Sequence, residues 1–158
     1  MDRLTPAQRS ALMARIRGKD TGPELRVRRI AHAAGYRFRL HGQLARRAAA
    51  AASRRAPDVR LAGGRLPGKP DLVFASRRKV VFVNGCFWHG HDCPAGRRAP
   101  ASNAEFWAAK RAGNAARDAR HEASLGRLGW QSLTLWECQL KDADAVLGRL
   151  DEFLGPSP

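Results

Sequence analysis

Two short apolar runs, DLVFA at 71–75 and KVVFVN at 79–84, restrict the fold more than any other feature of the chain. Both are rich in β-branched residues and too short for helices, and only Ser76-Arg77-Arg78 separates them. They read as a central hairpin, around which the remaining segments must be layered. Before them, Thr5-Pro6-Ala7-Gln8 forms a capping box opening a helix from about Pro6 to Arg17, and Thr21-Gly22-Pro23-Glu24 repeats the signal for a second helix ending at Gly35. YRFRL (36–40) alternates like a half-buried strand. After the hairpin, Ser102-Asn103-Ala104-Glu105 forms a third capping box and opens a long helix stopping near Gly129; WQSLTLWE follows as a strand, and 142–154 as an amphipathic helix. The order α, α, β, β, β, α, β, α predicts an α/β sandwich on a mixed sheet, one domain over residues 1–155.

An Ala/Arg-rich insert, residues 42–64, interrupts this economy with a single acid, Asp58. It reads either as a basic surface loop or as a short helix bringing Arg46, Arg47, Arg54 and Arg55 to phosphates. Lys and Arg outnumber Asp and Glu by 29 to 14, for a formal charge of +15. Such a charge on a short chain favours a polyanionic partner, nucleic acid before others, over a merely basic soluble protein. The N-terminal residues MDRLTPAQRS lack the apolar core of a signal peptide, and no run has the length of a membrane span, so a cytoplasmic protein is expected.

The chain has three cysteines and five histidines, and GCFWHGHDCP (85–94) concentrates two of each. Cys86, His91 and Cys93 follow one strand and Cys138 follows another. If those strands are neighbours, the four converge as a Cys3His set suited to a closed tetrahedral Zn²⁺ site. Spacing alone leaves open whether His89 takes the place of His91. In LPGKPDLVF, Asp71 stands at a strand start, where a carboxylate can hold Mg²⁺ for phosphodiester chemistry or can simply end a turn. The adjacent strand would let Asp71, the backbone carbonyl of Val83 and His89 meet at one end of the sheet.

DTGPELRVRR, LPGKPDLVF, VVFVNGCFWHGHDCP, EFWAAKRAGNAARDAR and LGWQSLTLWEC occur in an order and spacing that resemble the Vsr endonucleases, the very short patch repair enzymes that nick DNA at T:G mismatches. The resemblance covers nearly the whole chain apart from the insert and the last residues. It implies a restriction-endonuclease-like core with a degenerate active site, because Phe82-Val83-Asn84 lacks the second carboxylate and the lysine. Asp71, with the Val83 carbonyl, would bind Mg²⁺; His89 would act as base or orient water; Glu24 would hold metal-bound water or support His89. Glu24 also stands where a capping glutamate belongs. Asn84 replaces a histidine of the best-known members; it can donate a hydrogen bond to phosphate but cannot carry a proton.

The resemblance also assigns the aromatics. Phe87, Trp88 and Trp107 would wedge into the base stack beside the mismatch, Met13 would insert from the minor groove, and Asn114, Arg117 and Asp118 would contact DNA. By periodicity, Met13 and Trp107 equally suit a helix packing its apolar face. The substrate implied is double-stranded DNA with a T:G mispair left by deamination of 5-methylcytosine, the enzyme a nucleoid-associated monomer, and a MutL-type repair protein a partner. Two other readings fit the residues: a zinc-stabilised DNA-binding protein with a decayed site, which Asn84 suggests, and a restriction-like nuclease of other specificity.

Overall fold

The computed structural model describes Thr5, Ala7, Gln8, Ala11, Arg15 and residues 18–98 and 103–156. Most of the first predicted helix, including Met13, lies outside the described residues. The reciprocal bonds of its capping box are present, Thr5 N to Gln8 Oε1 at 2.9 Å and Gln8 N to Thr5 Oγ1 at 3.2 Å.

The elements are α1 (Gly22–Ala33), β1 (Arg39–Leu40), α2 (Arg46–Arg55), β2 (Leu72–Phe74), β3 (Lys79–Asn84), α3 (Cys86–His89), α4 (Pro94–Arg97), α5 (Ala104–Arg127), β4 (Gln131–Trp136) and α6 (Ala143–Leu154). The four strands form one mixed sheet in the order β1-β2-β3-β4. The predicted hairpin pairs antiparallel, with Leu72 opposite Val81 and Val73 opposite Val80, while β4 runs parallel to β3 from Lys79↔Gln131 to Asn84↔Trp136.

Strand alternation sends successive side chains to opposite faces. Leu72, Phe74, Val81 and Val83 meet Val27 and Ala31 of α1 and Val146, Leu150 and Leu154 of α6. On the other face, Val73 and Val80 meet Ala52 of α2 and Leu125 of α5, together with Leu66, Leu128 and Trp130. The hairpin is therefore apolar throughout because helices cover both sides of it, as expected of an α/β sandwich.

Two local expectations are corrected and one alternative is decided. YRFRL pairs only over Arg39–Leu40, because β2 offers a short partner; Tyr36 and Phe38 still pack into the core as the alternation requires. Of the insert's two readings the short helix holds: it carries α2, whose Ala52 is buried, and its neck is closed by a Gln43↔Arg65 bridge. Ser102 of the third capping box lies outside the described residues, and the helix starts one residue later than the box implies. Asn103 caps α5 from the left-handed region, φ +56°, and its side chain accepts no cap bond. A side-chain cap needs extended backbone to aim its oxygen at the first turn, and Asn is one of the few residues that tolerates the left-handed alternative.

Candidate active site and metal cluster

The ends of β2 and β3 open into a cleft of about 860 Å³ lined by Glu24, His41, Lys69, Asp71, Asn84, Trp88, His89, Arg117 and Asp118, among others. Asp71 enters it from the turn before β2. Its Oδ2 accepts a 2.7 Å hydrogen bond from the Val83 N–H, fixing the carboxylate to the neighbouring strand. The contact to Val83 thus runs through its amide. Burial pushes the Asp71 pKa up to about 7; the nearby Glu24 carboxylate raises it further, against the Val83 N–H and Arg28, which lower it. A carboxylate held this way gains from a cation more than one in water would.

Glu24 is buried and serves both roles read from the sequence. Its amide donates to Thr21 Oγ1 at 3.5 Å, and its Oε1 accepts from that hydroxyl at 3.0 Å, as a helix cap does. Its Oε2 accepts from Asp20 N at 2.8 Å and Arg28 Nη2 at 2.9 Å, and the carboxylate reaches the Asp71 side of the cleft. Glu24, His41 and Asp71 place ligand atoms within 4.8 Å of one another. This donor set, two carboxylates and an imidazole, fits a divalent cation. His41 was not anticipated from the sequence, since it stands 30 residues before Asp71 and belongs to no compact motif.

His89 ends α3 on the opposite wall, with Nδ1 2.5 Å from Asp118 Oδ2 on α5. Asp118, which the resemblance assigns to DNA contact, faces this histidine. Asn114 is likewise engaged within the protein: its Nδ2 donates to the Trp88 carbonyl at 2.8 Å, and its Oδ1 accepts from Arg117 Nη2 at 2.8 Å. Arg117 remains exposed on the cleft wall.

The cysteines converge at the same end of the sheet, just beyond the last residues of β3 and β4. Cys86 opens α3, Cys93 caps α4 and Cys138 follows β4; with His91 they place four ligand atoms within 4.8 Å of one another. His91, not His89, belongs to this group: its Nδ1 lies 3.5 Å from Cys138 Sγ, and its ring stacks on Trp136 at 4.4 Å. Three thiols and an imidazole suit a soft or borderline ion. Their proton affinities diverge. Burial pushes Cys86 up to about 12, whereas the Gly96 N–H and His91 bring Cys93 down to about 6. Gly96 is obligatory here, because a Cβ would collide with the His91 carbonyl. A lone glycine inside a short helical turn gives no sequence signal of that demand.

Between cleft and cluster, Phe87 and Trp88 of α3 meet Trp107 of α5 at ring separations of 5.5 and 5.8 Å. Phe106, also unanticipated, joins Trp107 at 5.3 Å while 57% exposed, and Lys110 lies over the rings of Trp88, Phe106 and Trp107. A half-buried aromatic group with one exposed ring beside basic side chains provides stacking surfaces for bases and charge for phosphates.

A sheet-edge carboxylate, an oriented histidine and a basic, aromatic rim define a nuclease. The family model for the DNA mismatch endonuclease Vsr matches residues 1–53 and 48–95. The chain is 44% identical to the Type II nicking enzyme V.XorIIP of Xanthomonas oryzae pv. oryzae, over 99% of this chain and 98% of that protein. It is 33% identical to the DNA mismatch endonuclease Vsr of Escherichia coli, strain K12, over 94% and 84% of the two chains, and 33% identical to the Type II nicking enzyme V.NmeAIP of Neisseria meningitidis, over 97% and 94%. The chain belongs to the Vsr family of DNA endonucleases and is a DNA-cleaving hydrolase with the family's restriction-endonuclease-like fold. No helix among the described residues is long and apolar enough to cross a membrane.

Proposed function

We propose that the protein nicks double-stranded DNA on the 5′ side of the T in a T:G mispair, hydrolysing one phosphodiester to start very short patch repair. The observation that carries this reading is the adjacency of three parts. Asp71 and Glu24 form an ion-binding wall, the His89–Asp118 pair faces the same cleft, and Phe87, Trp88 and Trp107 sit at its rim. The relatives' names, a mismatch endonuclease and nicking enzymes, agree with single-strand cleavage.

Asp71 and Glu24, with the Val83 carbonyl, would hold Mg²⁺, which when bound supplies Lewis-acid stabilisation of charge on the phosphate. Asp118 fixes the tautomer and direction of His89, leaving Nε2 free to accept a proton from the attacking water. Asn84 donates a hydrogen bond to a phosphate oxygen, and Arg117 binds the backbone beside it. The aromatic rim enters the stack at the wobble pair, which unstacks at lower cost than a Watson–Crick pair. Cys86, His91, Cys93 and Cys138 would hold Zn²⁺, fixing the turn that presents Phe87, Trp88 and His89. The enzyme works as a cytoplasmic monomer, and its nick is handed to repair proteins of the MutL type.

The test is strand-specific nicking of duplexes carrying T:G or C:G in several flanking contexts, with Mg²⁺ or with chelator, for wild type and Asp71→Ala. Metal-dependent cleavage beside T in T:G alone, absent in the variant, is the expected result. Equal cleavage of C:G duplexes would mark a restriction-like nuclease instead.

A further inference from the structure

We infer that His41 is a direct ligand of the catalytic ion, so that the free protein already carries a Glu24–His41–Asp71 cation site before DNA arrives. This site rests on the metal-dependent nuclease reading and adds to it a nitrogen donor.

Three independent features place His41. The first is proximity: one of its ring nitrogens and one oxygen from each of Glu24 and Asp71 lie within 4.8 Å of one another, the spread that three donors around one ion require. The second is the backbone. His41 occupies the left-handed region at φ +53°, unusual for a residue with a Cβ, and the neighbouring Gly42 at φ +72° cannot be replaced, because a Cβ there would meet Lys69 Cα at 2.9 Å. The His41 N–H donates to the Asp71 carbonyl at 3.4 Å and the Gly42 N–H to the Pro70 carbonyl at 2.7 Å, so this turn is built directly onto the segment bearing Asp71. The third is a carboxylate against the ring. Asp20 Oδ1 lies 3.3 Å from His41 Nε2 and is itself held by Arg28 Nη1 at 2.6 Å, while Arg28 Nη2 binds Glu24. A carboxylate against a ring nitrogen is how proteins orient a ligating imidazole. One guanidinium thereby positions both Glu24 and, through Asp20, His41.

An imidazole in place of an oxygen donor moves the site's preference from Mg²⁺ toward Mn²⁺ and Co²⁺. Removing it lowers Mn²⁺ affinity by at least about tenfold and affects Mg²⁺ less.

The experiment is calorimetric titration of Mn²⁺ into the zinc-loaded protein without DNA, with electron spin-echo spectroscopy of the bound Mn²⁺. Wild type, His41→Asn, His41→Gln, His89→Asn and Asp71→Ala are compared, and wild type is also labelled with ¹⁵N-histidine. Asn tolerates the left-handed backbone, and melting curves confirm folding of each variant. The expected result is a directly coupled ¹⁴N that changes to ¹⁵N on labelling, is lost in both His41 variants and survives in His89→Asn. Mn²⁺ binding without nitrogen coupling, coupling that persists in the His41 variants, or no uptake by the free protein would overturn it. Uptake unchanged in Asp71→Ala would instead overturn the underlying assignment of the ion to this cleft.

Discussion

His89 Nδ1 and Asp118 Oδ2 stand 2.5 Å apart although 29 residues separate them, because α3 and α5 pack across the mouth of the cleft. The carboxylate favours the tautomer with a proton on Nδ1, and in the proposed reaction it would steady the charge that Nε2 acquires on taking a proton from water. Asp118→Asn should therefore lower kcat by about 10²-fold or more while leaving KM for the duplex within a few-fold. Single-turnover nicking at saturating enzyme checks this; an equal loss in duplex affinity would make Asp118 a DNA contact.

Burial pushes the Asp71 pKa up to about 7, above its unfolded value, so the folded chain binds the extra proton between roughly pH 4 and 7. Its contribution favours the folded state at the acid end of that window and is lost as pH rises through 7. Asp71→Asn should stabilise the metal-free protein at pH 8, by on the order of 2–3 kcal/mol, with little change near pH 4. Adding Mg²⁺ should raise the melting temperature of wild type at pH 8 and leave the variant unmoved. Denaturant unfolding at the two pH values is the measurement; a variant less stable than wild type at pH 8 would count against the burial argument.

The cysteine cluster joins α3 and α4 to the end of β4, while the two apolar layers over the sheet are built without it. Metal analysis should find one zinc per chain. Cys138→Ser, or strong chelation, should loosen the α3 turn and its aromatic rings before it unfolds the sheet. Near-ultraviolet circular dichroism from Trp88, Trp107 and Trp136 should collapse while the far-ultraviolet signal largely persists, and mismatch nicking should disappear. Loss of both signals together would show that the whole fold depends on the metal.

Phe87, Trp88 and Trp107 form one aromatic group although Trp107 comes from a different helix. Trp107→Ala should weaken binding to a T:G duplex by roughly 1–3 kcal/mol, about five- to 150-fold, with little effect on a matched C:G duplex. Fluorescence anisotropy on paired duplexes separates this from an equal loss on both, which would mean that Trp107 only supports the fold.

The hairpin was legible because DLVFA and KVVFVN admit few other structures, helix α1 from its capping box and helix α6 from its apolar spacing. The cysteine–histidine cluster was half legible. Cys86, His91 and Cys93 are near neighbours in sequence, but their meeting with Cys138 depends on β3 and β4 pairing in parallel, a relation that no local pattern encodes. Spacing likewise could not separate His91 from His89; packing does, by stacking one on Trp136 and turning the other to Asp118. His41 was not legible at all. Its place beside Asp71 comes from a left-handed turn and from pairing across a 30-residue interval, and the sequence around it reads only as the end of a weak strand.

The arginines of α2 supply the remaining prediction. Arg46, Arg47 and Arg54 are exposed, while Ala52 and Ala56, on another side of the helical segment, are buried against Leu125 and Leu128. Deleting the insert would therefore damage the core and confuse binding with folding. Replacing Arg46, Arg47 and Arg54 by Gln removes charge while leaving the packed alanines in place. If these side chains sit on phosphates, the slope of log affinity against log salt should flatten by about 0.9 for each phosphate no longer neutralised, with T:G and C:G duplexes affected alike. An unchanged slope in a normally folded variant would show that the helix serves the core alone. A change confined to the T:G duplex would place the arginines at the mismatch, where stacking and not counterion release is expected to dominate.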